Sequence, residues 1–189
     1  MGSKLNPIAL AIPFFFLLIG VEVWVARRRG VRVYRLNDAL ADLGTGVLQQ
    51  VFGLALRAFT AAAYVAVFDR FALTALPPDS VLTWVACFLS VDCCYYWFHR
   101  ASHEVNFLWA AHVVHHQSDE YNLAVALRQS ALQPGFSWVF YLPLAILGFP
   151  PLVTFVVIAV NTLYQFWIHT RLISRMGFLE AVLNTPSHH

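Results

Sequence analysis

Charge is what this chain has least of. Acidic and basic residues together make up 12% of it, against 59% hydrophobic types. Water-soluble domains carry about 25% charged and 45–50% apolar residues. So few charges cannot cover an aqueous surface, and the composition points to lipid as the solvent. A net charge of only +2, with no basic run interleaved with aromatics, excludes a nucleic-acid surface. Cysteine is also scarce: Cys87, Cys93 and Cys94 all fall in one apolar segment. If that segment is helical, Cys87 and Cys93 are poorly placed for a disulfide, and bridges between adjacent cysteines are rare. All three read as small apolar residues, not as a redox framework or zinc ligands. Internal repeats, linkers and low-complexity tracts are missing too, so residues 1–189 read as one membrane-embedded domain.

What is present is a series of apolar runs. Ile8 to Ala26 gives nineteen nearly uninterrupted apolar residues, enough at about 1.5 Å each to cross a hydrocarbon core. A secretory signal carries its positive charge before the apolar run. Here Arg27, Arg28 and Arg29 follow it, which makes the segment an anchor. Leu43 to Phe68 is long enough to span with tilt and carries Gln49, Gln50 and Arg57; Val81 to Phe98 contains one acid, Asp92. Phe136 to Phe149 has fourteen residues, short for a full crossing, before Pro150-Pro151 and a last run from Leu152 to Ile168. These two read as a helical hairpin whose shorter arm suits a re-entrant segment. The expected fold is all-α, a multi-pass transmembrane helical bundle.

Arginine sets the expected orientation. With the N-terminus outside, nine arginines fall on the cytoplasmic side, against Lys4 and Arg70 outside and Arg57 within a span. That matches the positive-inside bias. The same threading puts every histidine on the cytoplasmic side of a multi-pass protein, in a bacterial inner membrane or a membrane of the endoplasmic reticulum type.

The histidines carry the chemistry. His99 and His103 form HRASH; His112, His115 and His116 form HVVHH; His169 follows the last apolar run in WIHT; His188 and His189 lie in NTPSHH. On a helix the first pair lies about 40° apart, so both rings face one ion, and the trio spans about 100°. One straight helix from His99 to His116 would put the two groups on nearly opposite faces. A shared site therefore requires a turn within Glu104 to Phe107. Imidazole suits iron, zinc, copper and nickel, and eight candidate ligands exceed the needs of one ion, so two metals are expected. HEVNF is not a zinc-protease motif, because Phe107 stands where its second histidine should be. The plainer alternative is an interfacial polar role for His169 and an accidental tail for His188 and His189.

The stretch YYWFHRASHEVNFLWAAHVVHHQSDEYNLAVALRQS, with LYQFWIHTRLI and NTPSHH, resembles the fatty acid hydroxylase and sterol desaturase superfamily of membrane di-iron oxygenases. The resemblance extends to NPIALAIPFFFLLIGVEV and RLNDALADL and is greatest to the alkylglycerol monooxygenase branch and its bacterial relatives. It implies a non-haem site of two His-ligated irons that hydroxylates a lipid C–H bond with O2. It also implies an external two-electron donor: a reduced pterin such as tetrahydrobiopterin in that branch, cytochrome b5 or ferredoxin-type partners elsewhere. By position, His99 and His103 match the first histidine box, His112, His115 and His116 the second, and His188 and His189 the start of the third. His169 matches a further histidine of the branch. The third box continues in the family beyond where this chain stops, so on this reading the chain is C-terminally truncated.

Around the ligands, Asp92 lies seven residues before His99, on the same helical face. An ionisable group in a membrane segment is costly and suggests function. It is expected to hold the ring N–H of a ligand histidine, with a hydrogen bond to a neighbouring helix as the alternative. Glu104 is expected to act similarly, though its spacing fixes nothing. In the polar stretch after the second box, Asn122 and Arg128 are expected to meet substrate or cofactor; loop solvation is the alternative for its neighbours. Desaturation or sterol methyl oxidation would use the same site. A non-catalytic membrane protein holding zinc at the histidines is the rival from another class.

Overall fold

The computed structural model describes residues 7–187 except 182, and among these the regular structure is entirely helical. The helices are α1 (Pro7–Arg28), α2 (Leu36–Phe71), α3 (Val81–Glu104), α4 (Asn106–His112), α5 (Pro134–Ser137), α6 (Leu142–Ile146) and α7 (Pro151–Trp167). Gly30 stops α1. At φ 67° it lets the Val31 N–H return to the Ala26 carbonyl at 3.0 Å while its own N–H reaches Arg27 at 3.2 Å, a glycine C-cap. Arg27 and Arg28 occupy the last turn, where the carbonyl end of the helix dipole favours cations.

Among the described residues two helices, α2 and α3, are long and apolar enough to cross a membrane. Only 11% and 22% of their most apolar windows are buried, unlike the core helix of a soluble protein, and Leu48, Phe52, Leu82 and Leu89 are among the apolar side chains left outward. Both outrun their apolar runs: α2 begins at Leu36 and α3 continues to Glu104, which places His99 and His103 on helix. The short arm expected at Phe136 to Phe149 is instead broken into α5, a 3₁₀ turn at Trp138–Tyr141 and α6. Pro134 and Pro143 each begin a new helix, since neither can donate an N–H to a preceding turn.

The chain divides into two compact units, each made of separated segments. Both boundaries at Gly46 and Asn161 fall inside helices, which is why no linker marks them.

The unit holding Val47–Val114 and Ser130–Asn161 has a core of Tyr64, Cys87, Val91, Leu144, Ala145, Phe149, Val153 and Val157. Tyr64 takes its apolar ring inside because its hydroxyl is satisfied there, by the Phe149 carbonyl at 3.0 Å and Thr154 at 2.9 Å. Gly148, at φ 91°, sits where a Cβ would lie 2.0 Å from the Thr74 carbonyl oxygen. All three cysteines are free.

In the unit holding the chain up to Gly46, His115–Gln129 and the segment from Thr162, polar contacts join separate segments. Asn122, 1% exposed, donates to the Val33 carbonyl at 2.6 Å and accepts the Ala124 N–H at 2.9 Å. Gly46 lets α2 approach closely: a Cβ there would lie 2.4 Å from the Leu127 carbonyl oxygen.

Candidate metal centre

The helix does break where a shared site requires it. Val105 is extended, at φ −106° and ψ 114°, and ends α3 while opening α4. The turn packs α4 back against α3 and delivers its last residue, His112, to the pair one helical turn apart on α3. The His99 and His103 Nε2 atoms are 3.2 Å apart, and the His112 ring centroid lies 4.8 Å and 4.9 Å from theirs. One donor atom from each of the three falls within 4.8 Å of the others, the arrangement of a three-nitrogen metal cradle. His112 is buried and its Nδ1 meets the Gln133 carboxamide oxygen at 3.1 Å. That oxygen only accepts, so Nδ1 carries the proton and Nε2 keeps its lone pair. Burial pushes the His112 imidazolium pKa down, against the opposing hydrogen bond from Gln133, and so favours the neutral, ligating ring. Tyr95 stacks on His99 at 5.7 Å between centroids, and Trp109 lies 5.5 Å from His103.

HVVHH does not form one helical face. α4 ends at His112, and the chain turns before His115–Gln117 as a 3₁₀ turn, so His115 and His116 belong to the other unit. There His115 meets His169. The His115 Nδ1 donates to the Arg128 carbonyl at 2.8 Å, and the His169 Nδ1 to the Gln165 carbonyl at 2.7 Å. Carbonyls cannot donate, so both rings carry their proton on Nδ1. Their Nε2 atoms nevertheless face each other at 3.1 Å, with the rings 5% and 3% exposed. Two lone pairs facing each other at that distance repel unless a cation lies with them. A proton or a metal ion satisfies that need, and buried neutral imidazoles with backbone-fixed tautomers are suited to a divalent transition metal. The exposed His116 ring lies 5.2 Å from His115. Tyr121 flanks His169 at 6.0 Å and donates to the Ile168 carbonyl at 2.9 Å.

Six predicted ligands thus fall into two groups: His99, His103 and His112 converge on one point, and His115 meets His169 with the His116 ring beside it. His188 and His189 lie outside the described residues. The supporting residues require corrections. Asp92 accepts from the Asn161 amide at 3.1 Å, so it ties α3 to α7 and does not hold a histidine ring. Glu104 pairs with Arg100 at 2.9 Å on an exposed face, one helical turn away. Asn122 and Arg128 are both buried. The Asn122 amide is spent on backbone, and the Arg128 guanidinium is buried against Asp42 at 2.9 Å.

Residues missed by sequence reasoning hold the rings and their supports: Gln133, Asp42 and the Gln165 carbonyl. Asp42 was legible as an acid at the edge of the second apolar run. Gln133 and the carbonyl leave no sequence signal.

Comparison with known proteins identifies relatives of this chain. Residues 84–189 match the family model described as fatty acid hydroxylase. Alkylglycerol monooxygenase from Homo sapiens is 48% identical over 182 residues, which is 95% of this chain and 40% of that protein. The Xenopus tropicalis protein of the same name is 47% identical over 179 residues, with the same shares. The Caenorhabditis elegans one is 39% identical over 156 residues, covering 82% of this chain and 31% of its own length. The chain therefore spans about 40% of the length of the first of these curated relatives. No solved structure matches.

Proposed function

Because the chain belongs to the fatty acid hydroxylase family, we propose that it is the membrane-embedded histidine core of an O2-dependent lipid monooxygenase with two iron ions, acting on an alkylglycerol ether lipid. The observation that carries this is the convergence of His99, His103 and His112, with the His115 and His169 Nε2 atoms facing each other at 3.1 Å beside it in sequence. His99, His103 and His112 would hold one ion; His115, His116 and His169 would supply the other. Bound iron would provide the oxygen activation and C–H oxidation that no protein side chain can perform. The ether-lipid substrate is suggested by the name shared by relatives 47–48% identical.

The chain's own residues have distinct tasks in this reading. The Arg128 and Gln165 carbonyls and the Gln133 carboxamide hold Nδ1 protons, fixing each tautomer and ring plane. Burial of His112, His115 and His169 excludes water, and at His112 it favours the neutral, ligating ring. Tyr95, Trp109 and Tyr121 add aromatic walls beside the rings.

We read the chain as multi-pass, with the basic residues Arg27, Arg28, Arg29, Arg32, Arg171 and Arg175 and the histidines on the cytoplasmic side. A lipid would then reach the site from the bilayer with its reacting carbon near that interface. Two electrons come from an external donor, for which the family branch suggests tetrahydrobiopterin.

Metal analysis and turnover test the proposal together. Purified protein is expected to bind about two irons per chain and to consume O2 with an alkylglycerol and a reduced pterin. Tight zinc that supports structure, with no oxygen-dependent turnover after iron reconstitution, would overturn it.

A further inference from the structure

Glu22 has no task in the chemistry above, yet it is the only acid in an otherwise apolar helix and is 5% exposed. A carboxylate withdrawn from water is costly unless donors replace its hydration. Here three do. The Leu123 N–H reaches Oε2 at 2.8 Å, the Tyr34 hydroxyl donates to the same oxygen, and the Thr170 hydroxyl donates to Oε1.

These donors come from three separate segments of one unit. Tyr34 follows the turn after α1. Leu123 lies between His116 and Arg128, whose carbonyl holds the His115 ring. Thr170 directly follows His169. Two neighbouring bonds brace the same junction: Tyr121 to the Ile168 carbonyl and Asn122 to the Val33 carbonyl. Burial and the bond to Glu22 push the Tyr34 hydroxyl pKa up, so it remains a donor throughout the working range.

We propose that Glu22 is a positioning residue for the His115–His169 set, gathering three segments on one carboxylate so that α1 helps to build the metal centre. This rests on the reading that those histidines bind metal. All three donors are neutral, so the role needs acceptor oxygens more than a negative charge. Glu22→Gln can keep its oxygen toward Leu123 and Tyr34 and turn its amide to Thr170, whose hydroxyl accepts by reversing. Glu22→Leu removes every acceptor and strands the Leu123 N–H.

The test is release of iron(II) from the anaerobically loaded protein into a chelator, with the melting temperature of the metal-free protein as the folding control. Losing a residue that orients metal ligands typically weakens binding by about 10–100-fold. Glu22→Leu is expected to release one metal equivalent at least about tenfold faster than wild type while the other keeps its rate. Glu22→Gln should stay within about twofold of wild type, a rescue that simple loss of the acid would not give. If Glu22→Leu does not fold, Thr170→Val and Tyr34→Phe each remove one donor and should accelerate the same equivalent. Unchanged release in the folded variants, or equal acceleration of both equivalents, overturns the proposal. Failure of the wild-type protein to bind metal overturns instead the reading of the centre, and is seen before any variant is made.

Discussion

Replacing Asp42 should destabilise the protein and loosen His115 together. Asp42 and Arg128 form a 2.9 Å ion pair whose side chains are 0% and 10% exposed. Breaking such a pair by removing one partner costs roughly 3–5 kcal/mol, because the other charge stays in a low-dielectric surround. The lower end applies here. Oδ2 of Asp42 is buried without a hydrogen-bond partner, so Asp42→Ala also relieves a carboxylate that is only partly compensated. About 3 kcal/mol corresponds to roughly a hundredfold shift in the folding equilibrium. Removing both charges is different: Asp42→Leu with Arg128→Met fills similar volume without a buried ion, and such replacements are often neutral. Unfolding in detergent, followed by tryptophan fluorescence for the two single variants and the double, measures the coupling. The double variant should recover most of the loss seen in Asp42→Leu. The Arg128 carbonyl is kept in every variant, so iron release should follow the same order. Additive losses, or a single-variant cost below about 1 kcal/mol, would refute the claim that this pair fixes the Arg128 carbonyl that holds the His115 ring.

Three further outcomes are expected. Gln133→Leu removes the acceptor for the His112 Nδ1 proton, so iron affinity at that set should fall about 10–100-fold in a titration, with little change in melting temperature. Gly46→Ala forces a Cβ to within 2.4 Å of the Leu127 carbonyl; it should cost about 1–3 kcal/mol and speed iron release, whereas the equivalent change at exposed Gly20 should not. Burial pushes the Tyr121 hydroxyl to about 12, raised in the folded state, so its stabilising effect is complete below pH 10 and is lost as pH rises from 10 towards 12. The ultraviolet difference titration between wild type and Tyr121→Phe should accordingly show no phenolate near pH 10.

The sequence made the histidines legible because spacing alone decides which rings share a helical face. It also required a break after Glu104, and the extended Val105 provides it. It could not show that HVVHH would divide. Nothing in those five letters marks α4 as ending at His112, and the split depends on which tertiary partner each ring finds. The supports were harder still. Asp92 and Glu104 are acids near histidines in sequence, but a carboxylate on a helix takes the nearest donor, Asn161 or Arg100. Asn122 and Arg128 read as contacts for substrate or cofactor because they lie in the polar stretch after the second histidine box, yet both are buried against backbone or acid. The broken Pro134–Ile146 region was visible in its prolines, but its length resembled that of a short helix.

Backbone carbonyls perform the most specific task here, and that has a consequence for reading this family. In the His115–His169 set the tautomer is decided by two main-chain oxygens, which any residue type supplies. Chemical identity at positions 128 and 165 therefore matters less than where the chain puts those oxygens. That placement depends on residues outside the histidine groups: Gly46, which admits the close approach of Leu127, and Glu22, which gathers segments from both sides of the ligands. A substitution that moves the carbonyl by an ångström lets the ring rotate, and a rotated imidazole loses its ion as surely as an absent one. Loss of metal from a variant therefore identifies a ligand only if conservative replacement of its carbonyl-positioning neighbours leaves the metal bound.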